Sequence, residues 1–455
     1  MMKLKRIEEV LRTVFSVLLL FAMVWPAAAQ EKPAPLLVVI SVDGLRPDYV
    51  TAADVHGARV PNLRKFLREG TFAEGVTGVI PTVTYPSHTT LVTGVWPVKH
   101  GILANTTFDP LQKNHEGWYW YAEDIRVPTL WDAAAAAGRT TASIQWPVTV
   151  GAKINWNIPE LWRAGTAEDA KLLRVVSTPG LLAEGKAAIG EYRGGIDATP
   201  ESDEVRGKYA VWILENKHPG LLTVHLIALD HIEHETQAFS PKAMAVLERL
   251  DAVVGKIWEA AEHVAPGRAF VAVVSDHGFV NYGQQLNLFP AFEKAKLFSL
   301  DDRGKISEWR AMPWETGGSA AIVLKDPRNG LTTATVRALL TKLAADPANG
   351  IDRVLEGEEL HRKGGYPNAS FFVGLKPGWR TGSSLTGPVV TSVKAGGTHG
   401  GLPDLPDLRA AFFLVGPGVP VDKNLGLIDM RDIAPTLAKA VGLALPSADG
   451  KPLLP

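Results

Sequence analysis

The stretch Leu36–Asp43, LLVVISVD, is a nearly continuous apolar run that ends on an aspartate. The same pattern returns in Leu221–Asp230 (LLTVHLIALD) and in Ala269–Asp276 (AFVAVVSD). Apolar runs of this length, bounded by polar residues, are typical of strands buried on both faces. Because ligands gather beyond the carboxyl ends of parallel strands, we expect the three terminal aspartates to lie close together.

Helical segments separate these strands. Pro61–Glu69 follows the first strand, and the long amphipathic segment Pro241–Val264 connects the second strand to the third. This alternation predicts an α/β fold in which a mostly parallel sheet is flanked by helices. Between about residues 297 and 379 the pattern changes to short strands around a helix. We therefore expect one large domain, residues 30–455, with an inserted smaller α/β lobe at about 297–379.

The N-terminal residues have the features of a secretory signal peptide, with expected bounds 1–29. Basic residues precede the apolar run Val14–Trp25, and Ala27–Ala29 provides a small-residue cleavage site. The run is short for a membrane span, which needs roughly 20 apolar residues, so no stable span is expected after cleavage. Glu8 and Glu9 are atypical of a signal peptide and leave an uncleaved anchor as the alternative. We predict a periplasmic or secreted protein.

The amino-acid composition excludes some classes of binding partner and some kinds of catalytic chemistry. The formal net charge of −1 indicates no electrostatic attraction to a nucleic-acid polymer or to an anionic membrane surface. The chain has no cysteine, which excludes thiolate metal ligands and thiol nucleophiles and favours the bacterial periplasm over an animal exterior. The sequence does not indicate the oligomeric state.

Two of the three aspartates carry a histidine at the spacing of metal ligands, Asp230 with His234 and Asp276 with His277. Carboxylate and imidazole together suit zinc and similar divalent metals. A single aspartate after a strand is more often a helix cap or a turn residue. Three such aspartates, together with the histidines, favour a metal site.

Two further segments contain candidate functional residues. Thr84 precedes an expected helix start at His88. The exposed backbone N–H groups at a helix start favour an anion. The hydroxyl of Thr84 could attack phosphorus there if a metal lowered the pKa of that hydroxyl. The alternative is a simple helix cap. His399 lies in the glycine-rich stretch Gly396–Gly401, in which the backbone can approach a ligand closely. The alternative there is a surface loop with an incidental histidine.

Seven short motifs together resemble the nucleotide pyrophosphatase/phosphodiesterase family of the alkaline phosphatase superfamily. They are VDGLRPDY around Asp43, TYPSHTTLVTG from Thr84, HGILANTTFDP around Asn105, SIQWP near Trp146, DHIEH from Asp230, VVSDHGF around Asp276 and GGTHGG around His399. The motifs occur in the family's order and span most of the chain. The resemblance implies an alkaline-phosphatase-like fold and hydrolysis of phosphodiester or pyrophosphate bonds in a small phosphodiester or nucleotide substrate.

The resemblance also implies roles for individual residues. It implies two zinc ions, one held by Asp230, His234 and His399 and the other by Asp43, Thr84, Asp276 and His277. Thr84 would be the nucleophile that forms a phosphothreonine, and Asn105 would bind a phosphate oxygen. Tyr85 occupies the position of the family's base-stacking aromatic, where phenylalanine is frequent, and Ser87 replaces a frequent asparagine.

Two alternative functions remain open from the sequence. A phosphomonoesterase could use the same core with an added cation for the extra phosphate charge, for which Lys153 is a candidate. A non-catalytic metal-binding relative is the second alternative, although such a protein would be expected to have lost ligands and all of them are present here.

Overall fold

A computed structural model describes residues 33–114, 117–161, 167–192 and 197–454. The chain divides into two units, Met1–Ala34 and Pro35–Pro455, and the second is described below. The predicted signal peptide lies outside the described residues. Within the described ranges, no helix is both long enough and apolar enough to cross a membrane.

A central sheet of eight strands contains all three strands that the sequence analysis identified. Its strands, in spatial order, are Lys423–Asn424, Thr71–Phe72, Phe412–Val415, Ala269–Val274, Leu36–Val42, Leu221–Leu226, Thr141–Ile144 and Trp156–Ile158. The last five are parallel to one another, whereas Phe412–Val415 runs antiparallel to its neighbour Ala269–Val274. The predicted mostly parallel sheet is therefore confirmed.

Strand register places the three predicted aspartates at one edge of this sheet. Ser41 is paired with both His225 and Val274, so the three central strands end at the same level. The second strand is shorter than predicted, because it ends at Leu226 and a helix, Ala228–Thr236, begins almost at once. Asp230 thus lies in the first turn of that helix and not at the strand end itself.

Helices cover both faces of the sheet, as the unbroken apolar runs predict. Val38 and Ile40 of the central strand join one apolar cluster, and Leu37 and Val39 join another on the opposite face. The helices are Asp48–Thr51, Ala53–His56, Pro61–Glu69, Thr84–Thr93, Pro97–His100, Leu130–Ala136, Ala167–Val176, Leu181–Ile189, Pro200–Lys217, Ala228–Thr236, Pro241–Val264, Leu288–Lys294, Gly330–Ala345, Gly357–Arg362 and Ile433–Ala440. This arrangement confirms the predicted sheet flanked by helices.

A separate antiparallel sheet forms within residues 297–379. Its four strands, in spatial order, are Ala311–Glu315, Ser319–Leu324, Ala369–Leu375 and Ile351–Glu356. Strands Phe298–Leu300 and Ile306–Trp309 pair beside it, and the helix Gly330–Ala345 shares its apolar cluster. The domain bounds remain a prediction.

A three-stranded sheet connects this region to the candidate site. Val280–Asn287 lies between Gly378–Gly382, which is parallel to it, and Val390–Thr398, which is antiparallel. Thr398 is paired with Val280. His399, which follows Thr398, therefore lies close to His277, which is three residues before Val280. A two-stranded ladder of Gly75–Thr77 and Leu427–Asp429 completes the sheets of the described residues.

Candidate metal centre and nucleophile

Three predicted ligands form a buried cluster at the sheet edge, here called the inner group: Asp43, Asp276 and His277. Asp43 follows the strand Leu36–Val42, and the other two follow Ala269–Val274. His277 Nε2 lies 3.4 Å from Asp43 Oδ1 and 3.0 Å from Asp276 Oδ2. The three donor atoms therefore face one point, as ligands of a single ion do.

The other three predicted ligands form the outer group: Asp230, His234 and His399. Asp230 and His234 are four residues apart on the helix Ala228–Thr236, which places them on the same helix face. Asp230 Oδ1 lies 3.4 Å from His234 Nε2 and 3.4 Å from His399 Nε2. The rings of His277 and His399 stack with centroids 3.6 Å apart, so the inner and outer groups adjoin.

Unpartnered buried atoms show that the two groups fit divalent cations. Asp43 Oδ1, Asp230 Oδ1, Asp276 Oδ2 and His277 Nε2 are buried and make no hydrogen bond among the described residues. Burial and repulsion from Asp276 and Asp230 raise the pKa of Asp43 well above its ordinary value. Buried polar groups are costly without partners. A divalent cation in each group would satisfy these atoms, and the oxygen and nitrogen donors are those that zinc accepts.

The three histidines of the inner and outer groups are oriented by their second ring nitrogen. Nδ1 of each contacts a backbone carbonyl: His234 that of Gly397 at 3.0 Å, His399 that of Thr82 at 3.2 Å and His277 that of Gly278 at 3.2 Å. Each Nδ1–H can donate to its carbonyl, which leaves Nε2 as the free acceptor directed into its group. Hydrogen bonds of this kind fix the tautomer and orientation of metal-binding histidines.

Asp43 is held by a buried histidine that spans two carboxylates. His225 Nε2 lies 2.9 Å from Asp43 Oδ2, and its Nδ1 lies 2.8 Å from Glu160 Oε2. Burial lowers the pKa of His225, but Glu160 and Asp43 outweigh that effect and raise the pKa well above its ordinary value. With Oδ2 engaged by His225, the other oxygen of Asp43 is left to face the inner group.

Thr84 is the first residue of the helix Thr84–Thr93, with Val83 at the N-cap. The prediction that the helix begins at His88 was therefore wrong, because this fully buried helix has no apolar stripe from which its first turn could be read. His88 Nδ1 donates to the carbonyl of Thr84 at 2.9 Å, and His88 Nε2 accepts from Ser41 Oγ at 2.8 Å. Burial lowers the pKa of His88 to about 3, so the neutral ring can make both contacts.

Asn105 lies against the start of the same helix. Its side-chain Oδ1 accepts a hydrogen bond from the backbone N–H of Tyr85 at 2.9 Å. Because this oxygen is engaged, the side-chain NH2 group of Asn105 is the part of the amide that can donate a hydrogen bond to a substrate oxygen. The structure thus places Asn105 beside Thr84, and its phosphate-binding role stays a prediction.

The ring of Tyr85 has different surroundings from those expected of a stacking surface. It is fully buried and packs in an apolar cluster with Ile102, Trp120 and Val148. The partly exposed ring of Trp118 lies next to it, with centroids 5.4 Å apart. Substrate stacking on Tyr85 stays a prediction.

Lys153, the candidate cation of the monoesterase alternative, lines a pocket of its own. Thr129, Trp131 and Val148 also line this pocket, and none of the predicted ligands does so. The structure therefore gives no support to Lys153 as part of the candidate site.

The helix that carries Asp230 and His234 is capped from a neighbouring helix by a buried ion pair. Asp203 Oδ2 accepts from the backbone N–H groups of Ile227 at 2.9 Å and Ala228 at 2.8 Å, while Arg206 Nη1 donates to Asp203 Oδ1. Both charged side chains are fully buried. Asp203 therefore fixes the first turn from which the outer group projects.

We expect Asp203→Ala to destabilise the protein by about 3 kcal/mol, because it leaves a buried guanidinium without its partner. The free energy of unfolding in urea measures this effect. Glu201→Ala, on the same helix, is the control, since Glu201 forms an exposed pair with Arg249 and should change stability little. Equal effects of the two substitutions would contradict the account.

Comparisons with known proteins identify one family of similar sequences. The sequence model of the type I phosphodiesterase/nucleotide pyrophosphatase family matches residues 37–402. Mouse bis(5′-adenosyl)-triphosphatase enpp4 is 32% identical over 129 residues, which cover 27% of this chain and 26% of that protein. Human ectonucleotide pyrophosphatase/phosphodiesterase family member 1 is 24% identical over 264 residues, covering 55% of this chain and 24% of that protein. The alignments thus span about a quarter of the length of these relatives.

Solved structures show the same fold. An inactive variant of murine ectonucleotide pyrophosphatase/phosphodiesterase 5 in complex with AMP superposes with a TM-score of 0.63 at 20% identity, covering 92% of this chain and 97% of that one. The human protein of the same name also gives a TM-score of 0.63 at 20% identity. Since the family model matches well over half of the sequence, the chain belongs to the type I phosphodiesterase/nucleotide pyrophosphatase family.

Proposed function

We propose that this chain is a two-zinc phosphodiesterase/nucleotide pyrophosphatase that works through a phosphothreonine intermediate. The observation that carries the proposal is the pair of adjoining ligand groups with unpartnered buried donors. His88 contacts both the carbonyl of Thr84 and the hydroxyl of Ser41, which lies near the end of the central strand. Asn105 accepts a hydrogen bond from the N–H of Tyr85, the residue after Thr84. Family membership supports this class of reaction.

The residues of the site have separate tasks in this mechanism. Thr84 Oγ loses its proton to solvent and attacks the phosphorus, the bond to the leaving group breaks, and a phosphothreonine forms. The oxygen of a water molecule then bonds to this phosphorus, the Oγ–P bond breaks to release the phosphorylated product, and a proton from the water restores the threonine hydroxyl. The amide of Asn105 donates to a non-bridging phosphate oxygen throughout. Zinc held by the inner and outer groups would supply positive charge for the attacking and leaving oxygens.

The charge of the site favours diesters over monoesters. A diester carries one negative charge at the reacting phosphorus, which two cations and the neutral donor Asn105 can match, whereas a monoester dianion needs an additional cation. Lys153, the candidate for that cation, lines a different pocket. The phosphomonoesterase alternative is therefore not favoured.

We expect kcat/KM for the p-nitrophenyl ester of thymidine 5′-monophosphate to exceed that for p-nitrophenyl phosphate by about 10²-fold or more. Steady-state kinetics with both substrates on one zinc-loaded preparation measure this ratio. Lys153→Ala is the matched control and should leave the ratio unchanged. Equal or reversed efficiencies in the wild-type protein would favour the monoesterase.

We also propose that the protein acts in the periplasm or outside the cell after removal of residues 1–29. The basic, apolar and small-residue segments of the N-terminal sequence support this location. N-terminal sequencing of protein purified from its native host tests the proposal. A mature chain that begins at Gln30 is expected, and a chain that retains Val14–Trp25 would favour the anchor.

A further inference from the structure

A further carboxyl group, that of Glu160, lies at the sheet edge where the inner group is found. Ile144 is paired with both Val224 and Ile158, so the strand that contains Ile158 ends level with its neighbours. Glu160 follows that strand by two residues and is only 1% exposed. Carboxyl groups are almost never buried to this extent unless other groups in the protein bind them. The contacts of Glu160 therefore indicate what its burial serves.

The first contact of Glu160 is with the imidazole ring of His225. Glu160 Oε2 lies 2.8 Å from His225 Nδ1, and the carbonyl oxygen of Gln145 lies 3.1 Å from the same nitrogen. The other ring nitrogen, Nε2, lies 2.9 Å from Asp43 Oδ2. Because both nitrogens are engaged, on opposite sides of the ring, the ring cannot turn without losing a hydrogen bond. Glu160 thus fixes the ring that holds Asp43.

The second neighbour of Glu160 belongs to the helix that begins with Thr84. The hydroxyl of Tyr85 is buried and donates to no other group among the described residues. Burial and the neighbouring charge of Glu160 raise the pKa of Tyr85 well above its ordinary value, so the hydroxyl keeps its proton. Glu160 is the acceptor available to that proton. One carboxylate therefore faces both the ring behind Asp43 and the residue after the proposed nucleophile.

The backbone segment that contacts both neighbours of Glu160 is strained. Gln145 and Val148 have left-handed backbone conformations, with φ of 58° and 59°. A β-branched residue rarely adopts this conformation, and such strain persists only where the surrounding structure enforces it. The carbonyl of Gln145 contacts His225, and the side chain of Val148 packs in the apolar cluster of Tyr85. The surroundings of Glu160 are therefore held in one arrangement on both sides.

A buried pair of ionisable groups adds little net stability, because the loss of solvation opposes the attraction between the charges. Stability alone therefore does not explain a carboxylate and an imidazole at this depth. We propose that Glu160 is a positioning residue for the proposed reaction. Through His225 it directs Asp43 at the inner group, and through Tyr85 it fixes the start of the nucleophile helix. This inference rests on the proposed function and assigns a role to a residue outside both ligand groups.

Zinc binding by each group alone tests the contact through His225. His399→Ala leaves the inner group complete, and Asp43→Ala leaves the outer group complete. Adding Glu160→Ala should raise the Kd for zinc about tenfold in the first background and leave it unchanged in the second, because loss of an outer hydrogen-bond partner weakens ligation. Adding Glu160→Gln, which keeps an acceptor for Nδ1, should restore most of the affinity. Competition with a chromophoric chelator measures these constants. No change in the first background, or equal changes in both, would overturn the proposal.

Kinetics at saturating zinc test the contact with Tyr85. We expect Glu160→Ala to lower kcat for the p-nitrophenyl ester of thymidine 5′-monophosphate roughly tenfold with little change in KM, because a misplaced nucleophile slows the chemical step. Tyr85→Phe should cause part of this loss. Since the two side chains are proposed to act together, the double variant should be no slower than Glu160→Ala alone. Losses that multiply in the double variant would overturn the role of Tyr85.

Asp251→Asn is the matched control, since Asp251 is another carboxylate that is almost fully buried, at 2% exposure. It accepts a hydrogen bond from the backbone N–H of Leu63 at 2.7 Å and contacts none of the site residues named above. This variant should lower the free energy of unfolding in urea but leave the Kd for zinc and kcat unchanged. A wild-type protein that bound zinc without hydrolysing the ester would refute the proposed function, and the zinc titrations would still decide the role of Glu160.

Discussion

Thr84→Ala is expected to lower kcat/KM for the p-nitrophenyl ester of thymidine 5′-monophosphate by roughly 10³-fold or more, because the substitution removes the nucleophile itself. Thr84 begins a buried helix, and its carbonyl is held by His88, which also contacts Ser41 two residues before Asp43. These contacts connect the helix to the strand that supplies an inner-group ligand. A small effect would mean that water attacks phosphorus directly.

Thr84→Ser is the matched control for this experiment. Serine retains a hydroxyl at the same position, so a large part of the activity should return, and mass spectrometry of the serine and wild-type proteins after rapid acid quenching should detect a phosphorylated residue 84. Far-ultraviolet circular dichroism of the alanine variant checks that the helix is intact. Activity that stayed low with serine would indicate a role for the methyl group of Thr84 in packing.

Loss of a ligand from either group should remove both metal and activity. We expect Asp43→Ala and His399→Ala each to reduce bound zinc by about one ion per chain and to lower kcat/KM by roughly 10²-fold or more. The first variant tests the inner group, and the second tests the outer group. Zinc content by mass spectrometry and steady-state kinetics on the same samples measure both effects.

His231→Ala is the control for the ligand variants. His231 lies on the same helix as His234, but its side chain is 52% exposed and its contact is with Glu235. This variant should keep its zinc and its activity. Loss of zinc in His231→Ala comparable to that in His399→Ala would contradict the assignment of the outer group.

The sequence predicted the central sheet, and it indicated most of the side chains that the structure brings together in the inner and outer groups, because these features depend on short-range patterns. Continuous apolar runs identified the three central strands, and the spacing of Asp230 and His234 placed two ligands on one helix face. His399 was predicted from its glycine-rich segment and from the family resemblance. His399 lies next to His277 because the strand Val280–Asn287 pairs with Val390–Thr398. These two strands are separated by more than a hundred residues, and the sequence pattern does not indicate how they align.

Other parts of the site depend on contacts that one sequence does not specify. Glu160 is connected to Asp43 through His225, and Asp203 caps a helix that begins more than twenty residues later. The burial of Tyr85 follows from rings that pack around it from distant segments. The available signal for His225 was a polar residue inside a buried, otherwise apolar strand.

A titration of metal-free protein with zinc determines whether the protein uses two zinc ions to cleave phosphate esters. Activity toward the p-nitrophenyl ester of thymidine 5′-monophosphate is measured at each addition, with bound zinc determined in the same sample. We expect no activity without zinc and a rise in activity that is complete at two ions per chain, because the inner and outer groups would each hold one ion. Full activity in the metal-free protein would contradict the two-zinc mechanism.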